Sequence, residues 1–437
     1  MRCVVFGASG YVGCRLVAEL VAAGHEVRAA VRTPAKVADA PWRSRAEVVR
    51  ADVTDAGSVA AAVDGRDVVY YLVHSLPERD FVARDRWAAR TVAAAARRAG
   101  VRRIVYLGGL IPPGEPSDHL ASRAEVGRIL RRSGVPTAEL RAGVVVGSGS
   151  ASFELLRHLT ERMPVLITPR WAHNRVQPIA VRDALHHLVA AAQLPPEVNR
   201  AFDIGGPDVL TYLEMMRRFA AVAGLRRPLA LPAPLLTPWM TAHWVDVITP
   251  VPRSIAAPLM ESLVHDVVCR RGDITDHLAV PEPTPFDEAV RLALARTRAP
   301  DEAATPERSP AAPLPTDPEW SGGSVYSDVR ECHSAALPDR LWPVVESIAG
   351  CRGWWSAVPA RCPRVLRVDL PGVVPGRGWL ELSVEPDAGG SRYRQRAVFE
   401  PRGLAGHLYW KATAPVLKLF FAAMARGVAA LHVVVPA

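Results

Sequence analysis

Gly7, Gly10 and Gly13 stand three residues apart near the start of the chain, with Ser9, Tyr11 and Val12 between them. A short apolar run, Cys3-Val4-Val5-Phe6, comes before them. An alternation of helical period, Cys14 to Val21, comes after. Strand, glycine turn and helix are the parts that bind the pyrophosphate of a dinucleotide. The first glycine turns the chain sharply, and the second lets the backbone approach the phosphates. The third lets the helix pack close to the strand, with its N-terminal N–H groups aimed at the anion. The spacing is G-x-x-G-x-x-G rather than G-x-G-x-x-G. What makes the triplet specific is its place directly after a first strand.

Later strand ends supply the other contacts such a site needs. The second strand, His25 to Val31, runs into Arg32-Thr33-Pro34. No carboxylate stands there to meet a ribose 2′-hydroxyl, whereas Arg32 can pair with a 2′-phosphate. NADP is therefore expected, with NAD the less favoured cofactor. Asp52 and Val53 end the third strand, where a carboxylate can meet the adenine amine. Leu72, Val73 and His74 end the fourth, beside the expected crevice, and Leu107 ends the fifth.

The elements that must position these residues follow from the hydrophobic pattern. Buried strands are predicted at 3–6, 25–31, 48–53, 67–73, 103–107 and 138–145, separated by Ala-rich helical segments. Repeated βα units of this kind give an α/β fold, a doubly wound parallel Rossmann sheet. A chain of 437 residues is too long for one ordinary core, so a second domain is expected. The Lys and Arg count exceeds Asp and Glu by 9, but the excess is scattered. Nearly all of it is arginine, with lysine only at Lys36, Lys411 and Lys418. No basic run with interleaved aromatics suggests nucleic acid. Six cysteines without a C-x-x-C pair predict no metal site and no disulfide framework, but free thiols in a reducing cytoplasm. No uncharged apolar run reaches the length of a spanning helix, so none is expected. Nothing in the chain fixes an oligomeric state.

Several stretches together resemble the atypical or extended short-chain dehydrogenases/reductases, NmrA-like NAD(P)-binding proteins of a bacterial group with a C-terminal domain of unknown function. They are GASGYVG at 7–13, YYLVHS at 70–75, RIVYLGGL at 103–110, HLASRAEVG at 119–127, ELRAGVVVGSGSASFE at 139–154 and FDIGGPDVLTYLEMM at 202–216. The resemblance implies an oxidoreductase with a serine after the fifth strand and a Tyr-x-x-x-Lys pair. The tyrosine would donate the proton, with the lysine lowering its pKa and holding the ribose. This chain departs from that set. Gly108 and Gly109 occupy the serine's place, and the Tyr-x-x-x-Lys frame falls on His119-Leu120-Ala121-Ser122-Arg123. His119 is the candidate proton donor near neutral pH. Arg123 is the candidate for gripping ribose or phosphate, but as a permanent cation it cannot act as the acid.

Beyond the sheet, the chain divides into residues 1–297, the NAD(P)-binding domain with a substrate-side lobe, then 298–322, a flexible Pro/Ala-rich linker, then 323–437. Within the lobe, Ser152 to Leu159 reads as an amphipathic helix, Asp183 as a helix cap and Asp203 to Pro207 as a turn. The Pro- and Trp-dense stretch 229–252, with Trp239 and Trp244, reads as a lid or packing segment; lining a hydrophobic substrate channel and peripheral contact with a membrane are its other uses. The last part predicts a strand at 324–330, a helix at 338–348 and a hairpin of 379–385 with 391–399 about the turn at 387–390. A long helix at 407–431, interrupted at Pro415, ends it. This order resembles the helix-grip fold of polyketide cyclases and lipid-transfer domains, shortened to a bare connection between Trp355 and Arg364. The function expected is NADPH-dependent redox chemistry on a small apolar substrate, quinone-like or aromatic. The alternative is a catalytically inactive NADP(H)-binding sensor, regulator or assembly factor.

Overall fold

Seven short strands make one parallel sheet, its central ones buried on both faces and its edge strands partly exposed. They are β1 (Arg2–Phe6), β2 (Glu26–Val31), β3 (Glu47–Arg50), β4 (Val68–Tyr71), β5 (Arg103–Gly109), β6 (Thr137–Ala142) and β7 (Arg200–Ile204). Their order in the computed structural model is β7-β6-β5-β4-β1-β2-β3. The structure describes residues 1–75, 80–163, 165–233, 249–295, 314, 316–318, 320–321, 325–350, 356–359, 365–369 and 374–430. The order reverses between β1 and β4, which pair directly. At such a switch point the strand ends open a crevice where ligands of doubly wound sheets bind.

Helices cover both faces of the sheet. α1 (Tyr11–Ala22) and α6 (Val181–Ala191) pack on one, through Leu16, Leu20, Leu185 and Leu188. α2 (Ala56–Val63), α3 (Phe81–Arg98) and α4 (Asp118–Arg131) cover the other, through Val59, Val92, Val126 and Leu130. The buried alanines of α3, among them Ala88, Ala89 and Ala96, let that helix approach closely. Asp55 caps α2 by accepting from the Gly57 and Ser58 N–H groups. The lobe beyond the sheet adds α5 (Ala151–Arg162), α7 (Tyr212–Val222), α8 (Arg253–Glu261) and α9 (Phe286–Ala295).

Three expectations for this part change. The sixth strand ends at Ala142, and Val145–Val146 pairs instead with Ile179–Ala180. The predicted turn at Asp203 begins inside a strand: β7 is the sheet's edge, where Arg200 and Asp203 alternate with buried Phe202 and Ile204. Asp183 is not a cap. It lies in the first turn of α6, buried, and accepts from the backbone N–H and the hydroxyl of Thr284.

The chain divides into two compact units, residues 1–160 with 165–323, and residues 161–164 with 324–437. The second is a five-stranded antiparallel sheet of β8 (Tyr326–Ser334), β9 (Ser356–Pro359), β10 (Val365–Asp369), β11 (Gly376–Asp387) and β12 (Gly390–Pro401), in the order β8-β12-β11-β10-β9. Gly389, with φ of +79°, makes the β11–β12 turn. α10 (Pro338–Gly350) and α11 (Gly403–Ala430) complete the unit. The indole of Trp410 stacks on Tyr326 at 5.3 Å and on Phe399 at 5.5 Å. Phe421, Ala425 and Val428 join Leu341, Leu382 and Tyr393 in its core.

Here too the pattern misleads in places. The segment expected as a bare connection contains β9, paired antiparallel with β10. α11 runs through Pro415 without ending. It is also a helix long and apolar enough to cross a membrane, by length and composition, although Lys411, Lys418 and Arg426 interrupt every long uncharged run. Trp239, Trp244, Trp355, residues 298–313 of the linker and the connection 360–364 lie outside the described residues.

Candidate functional site

The crevice at the switch point is a cavity of about 430 Å³. Every residue expected to meet a dinucleotide lines it: Gly7, Ser9, Gly10, Tyr11, Val12 and Gly13 from the turn, Arg32, Asp52 and Val53, then Leu72, Val73, His74, Leu107 and Arg123. The glycines divide the work as the motif requires. Gly7 has φ of +85°, and a Cβ there would lie 2.9 Å from the Leu72 carbonyl. A Cβ at Gly13 would lie 2.1 Å from the Gly7 carbonyl oxygen, so strand and helix meet backbone to backbone. A Cβ at Gly10 would lie 3.3 Å from the Gly7 carbonyl oxygen and meet no other described atom within 4 Å, so it would press on the turn alone. Gly10 begins α1 with no side-chain cap, and no acidic residue stands in the first turn. The helix thus offers its first N–H groups to an anion, as a pyrophosphate requires. Asp52 commits one carboxylate oxygen to the N–H and hydroxyl of Thr54, which pulls its pKa down. Arg84 also lines the cavity, a residue no motif in the sequence singled out.

A second cavity, again of about 430 Å³, adjoins the first and shares Tyr11, Val12, His74, Leu107 and Arg123 with it. Its remaining wall is mainly apolar: Leu110, Leu120, Val144, Leu155, Tyr212, Ile255, Leu259, Leu263 and Val267 among others. Among the described residues, no acidic side chain lines it. His119 belongs to this cavity and not to the dinucleotide crevice.

The imidazoles of His74 and His119 stack at 5.2 Å, nearly parallel. Burial pushes His119 down to about 3, helped by the Arg123 charge. Burial, Arg123 and His119 hold His74 well below its usual range. Both rings are therefore neutral at neutral pH, and His119 is not the ready acid that its type suggested. Ser262 Oγ lies 3.2 Å from His119 Nδ1, 3.1 Å from Ser117 Oγ and 2.8 Å from the Pro258 carbonyl, so this hydroxyl anchors the His119 ring through Nδ1.

Arg123 is held in place by its own bonds. Its guanidinium donates to the Leu107 carbonyl at the end of β5 and lies over the Tyr106 ring, 5.7 Å from its centroid. The space of the missing serine is also used: a Cβ at Gly109 would lie 2.9 Å from Leu120 Cδ2. Ser122 turns to buried Asp85, whose other oxygen accepts from the Ser75 N–H. Burial pushes the Asp85 carboxyl up. Asp85 and Ser262 escaped the sequence reading because each lies far along the chain from the motif it supports.

One contact ties the end of the linker to this site. Arg15, in α1, forms two bonds to the Asp317 carboxylate at 2.6 and 2.7 Å, and both side chains are 2% exposed. Asp317 also accepts from the Leu314 N–H at 2.8 Å. The segment expected to be flexible thus docks at its described end, because a guanidinium buried in α1 requires a carboxylate.

Residues 7–139 match the model of a family described as NAD(P)H-binding, and residues 367–424 that of a family described as a protein of unknown function (DUF2867). A 3β-hydroxysteroid dehydrogenase/Δ5→4-isomerase of Mycobacterium tuberculosis is 27% identical over 308 residues, 60% of this chain and 80% of that protein. A triphenylmethane reductase of Citrobacter sp. superposes with a TM-score of 0.55 at 19% identity, covering 68% of this chain and all of that one. An NADPH-dependent quinone oxidoreductase of Escherichia coli, in complex with NADPH, superposes with a TM-score of 0.54 at 19% identity, covering 66% of this chain and 98% of that one. The chain thus carries an NAD(P)-binding Rossmann domain like that of the short-chain dehydrogenases/reductases, with dehydrogenases and reductases among its relatives.

Proposed function

We propose that the protein is an NADP-dependent oxidoreductase acting on an uncharged, largely apolar substrate with rings. The observation that carries this reading is the shared wall of the two cavities. A dinucleotide in the first would end at Tyr11, His74, Leu107 and Arg123, and an apolar molecule in the second would begin there. A bound nicotinamide would supply or accept the hydride. The chain's own residues bind, orient and exclude water. Arg32 reads a 2′-phosphate, α1 holds the pyrophosphate, and the apolar wall selects a neutral partner because burying an unpaired charge there is costly. The names of the relatives, which concern a hydroxysteroid, a quinone and triphenylmethane dyes, agree with a bulky ring substrate.

The lack of the serine, tyrosine and lysine favours a second reading, an NADP(H)-binding sensor without turnover. We read the second unit as a shortened helix-grip-like domain, from its antiparallel sheet and long final helix. We place the protein in a reducing cytoplasm, in keeping with free Cys3, Cys14, Cys269 and Cys332.

The test is titration with NADPH and NADH, wild type beside Arg32→Ala. NADPH is expected to bind more tightly, and the variant to lose roughly 10- to 100-fold for NADPH alone, the worth of one charge-assisted hydrogen bond. Binding of neither nucleotide overturns both readings. Bound NADPH that no quinone, dye or steroid ketone oxidises favours the sensor.

A further inference from the structure

We propose that α11 seats this protein on the surface of an anionic phospholipid membrane. One face of the helix belongs to the core of the second unit. Besides its stacked Trp410 and buried Phe421, the Phe421 carbonyl accepts from Gln395 Nε2, and the Ala429 carbonyl accepts from Ser334 Oγ. The opposite face is bare. Leu408 is 57%, Val416 69%, Leu419 74% and Phe420 52% exposed. They continue the line begun by Leu404, and at helical rise the stripe runs for roughly 25 Å.

The chemistry of this face selects its partner. Every exposed position between Gly403 and Ala430 is apolar, glycine, proline or a cation. None is a neutral hydrogen-bonding side chain, and the helix contains no Asp or Glu. Lys411 and Lys418 stand seven residues apart on one flank, with Arg426 beyond. They are two of the three lysines in a chain that otherwise uses arginine. Flexible cationic stems beside an apolar stripe can reach headgroup phosphates while the stripe enters the acyl boundary. A second copy of the same face would bring cation to cation with no acid to answer it, since a two-fold interface pairs a patch with itself. Crossing the bilayer is excluded while the unit is folded, because the inner face is engaged with the sheet. The helix therefore lies in the interface.

The experiment is co-sedimentation of the full-length protein with vesicles of phosphatidylcholine alone, or with about one third phosphatidylglycerol. Retention is expected on the anionic vesicles only and should fall as salt is raised. Lys411→Gln with Lys418→Gln should weaken it by about tenfold or more. Leu419→Glu with Phe420→Glu should abolish it, with the circular dichroism and NADPH titration of the wild type preserved. Equal retention on neutral vesicles, or retention that neither variant changes, overturns the proposal. So does absence of retention together with a dimer that the Glu variant dissociates, which would assign the face to a second copy.

Discussion

Removal of the Asp317 carboxylate tests whether the linker is part of the nucleotide-binding unit. In Asp317→Ala, Arg15 stays buried in α1 and loses both of its short bonds to the carboxylate. Breaking a buried pair from one side costs about 3–5 kcal/mol, because an uncompensated charge remains. Arg15 keeps the Tyr11 carbonyl at 3.1 Å, the Ser148 carbonyl at 3.3 Å and the Tyr11 ring at 4.0 Å. The lower end of the range applies, about 3 kcal/mol. For a unit of about 320 residues that is a fall of roughly 4–5 °C in Tm. Thermal unfolding followed by circular dichroism measures it. Arg15→Met with Asp317→Leu, which removes both charges and keeps the volume, should recover most of the loss. A shift below about 1 kcal/mol in the single variant would place the pair in solvent, and the docking of the linker would be refuted.

The glycine turn separates fold from ligand. Gly13→Ala meets the Gly7 carbonyl and should cost at least ~2 kcal/mol in urea unfolding. Gly10→Ala meets only the Gly7 carbonyl oxygen, at 3.3 Å, and should cost less than Gly13→Ala, about 1 kcal/mol or below, yet weaken NADPH by calorimetry, since the methyl enters the phosphate path. The buried histidine sets an acid limit. The folded His119 titrates near 3 and the unfolded one near 6.5. Its contribution to stability is full above 6.5 and is lost as pH falls toward 3, by about 1.4 kcal/mol per pH unit. His119→Gln should flatten the decline between about pH 6 and 4 by that slope; an unchanged slope would mean that the imidazole is solvated.

Much of the cofactor crevice was legible in sequence because its parts are local. A glycine triplet after a first strand, and the residues that end β2, β3 and β4, carry their meaning at fixed offsets. The second cavity was not, because Tyr212, Ile255, Leu259 and Val267 come from separate elements that only the fold brings together. β7 was hidden by its edge position, where polar residues are tolerated on a strand. The docked end of the linker was hidden by composition. Pro- and Ala-rich sequence describes a chain with little apolar surface, but one buried arginine is enough to hold Asp317. The long last helix was expected, but its apolar outer face was not, because helical periodicity identifies one buried face without saying that the other is also apolar.

The state of His119 bears on how a proton would move. In reductases of the Tyr-Lys type a permanent cation near the acid lowers its pKa and readies it to give a proton. Here the cation, Arg123, acts on a buried imidazole that is already neutral, so it removes the acid form instead. Ser262 engages the ring through Nδ1. An imidazole whose charged form is this disfavoured is a poor acid and a poor base alike. It can orient a substrate carbonyl or hydroxyl by a hydrogen bond, but it does not carry the proton through the reaction. In the reductive direction the proton would therefore come from water or another group, and in the oxidative direction the hydroxyl proton would leave to one.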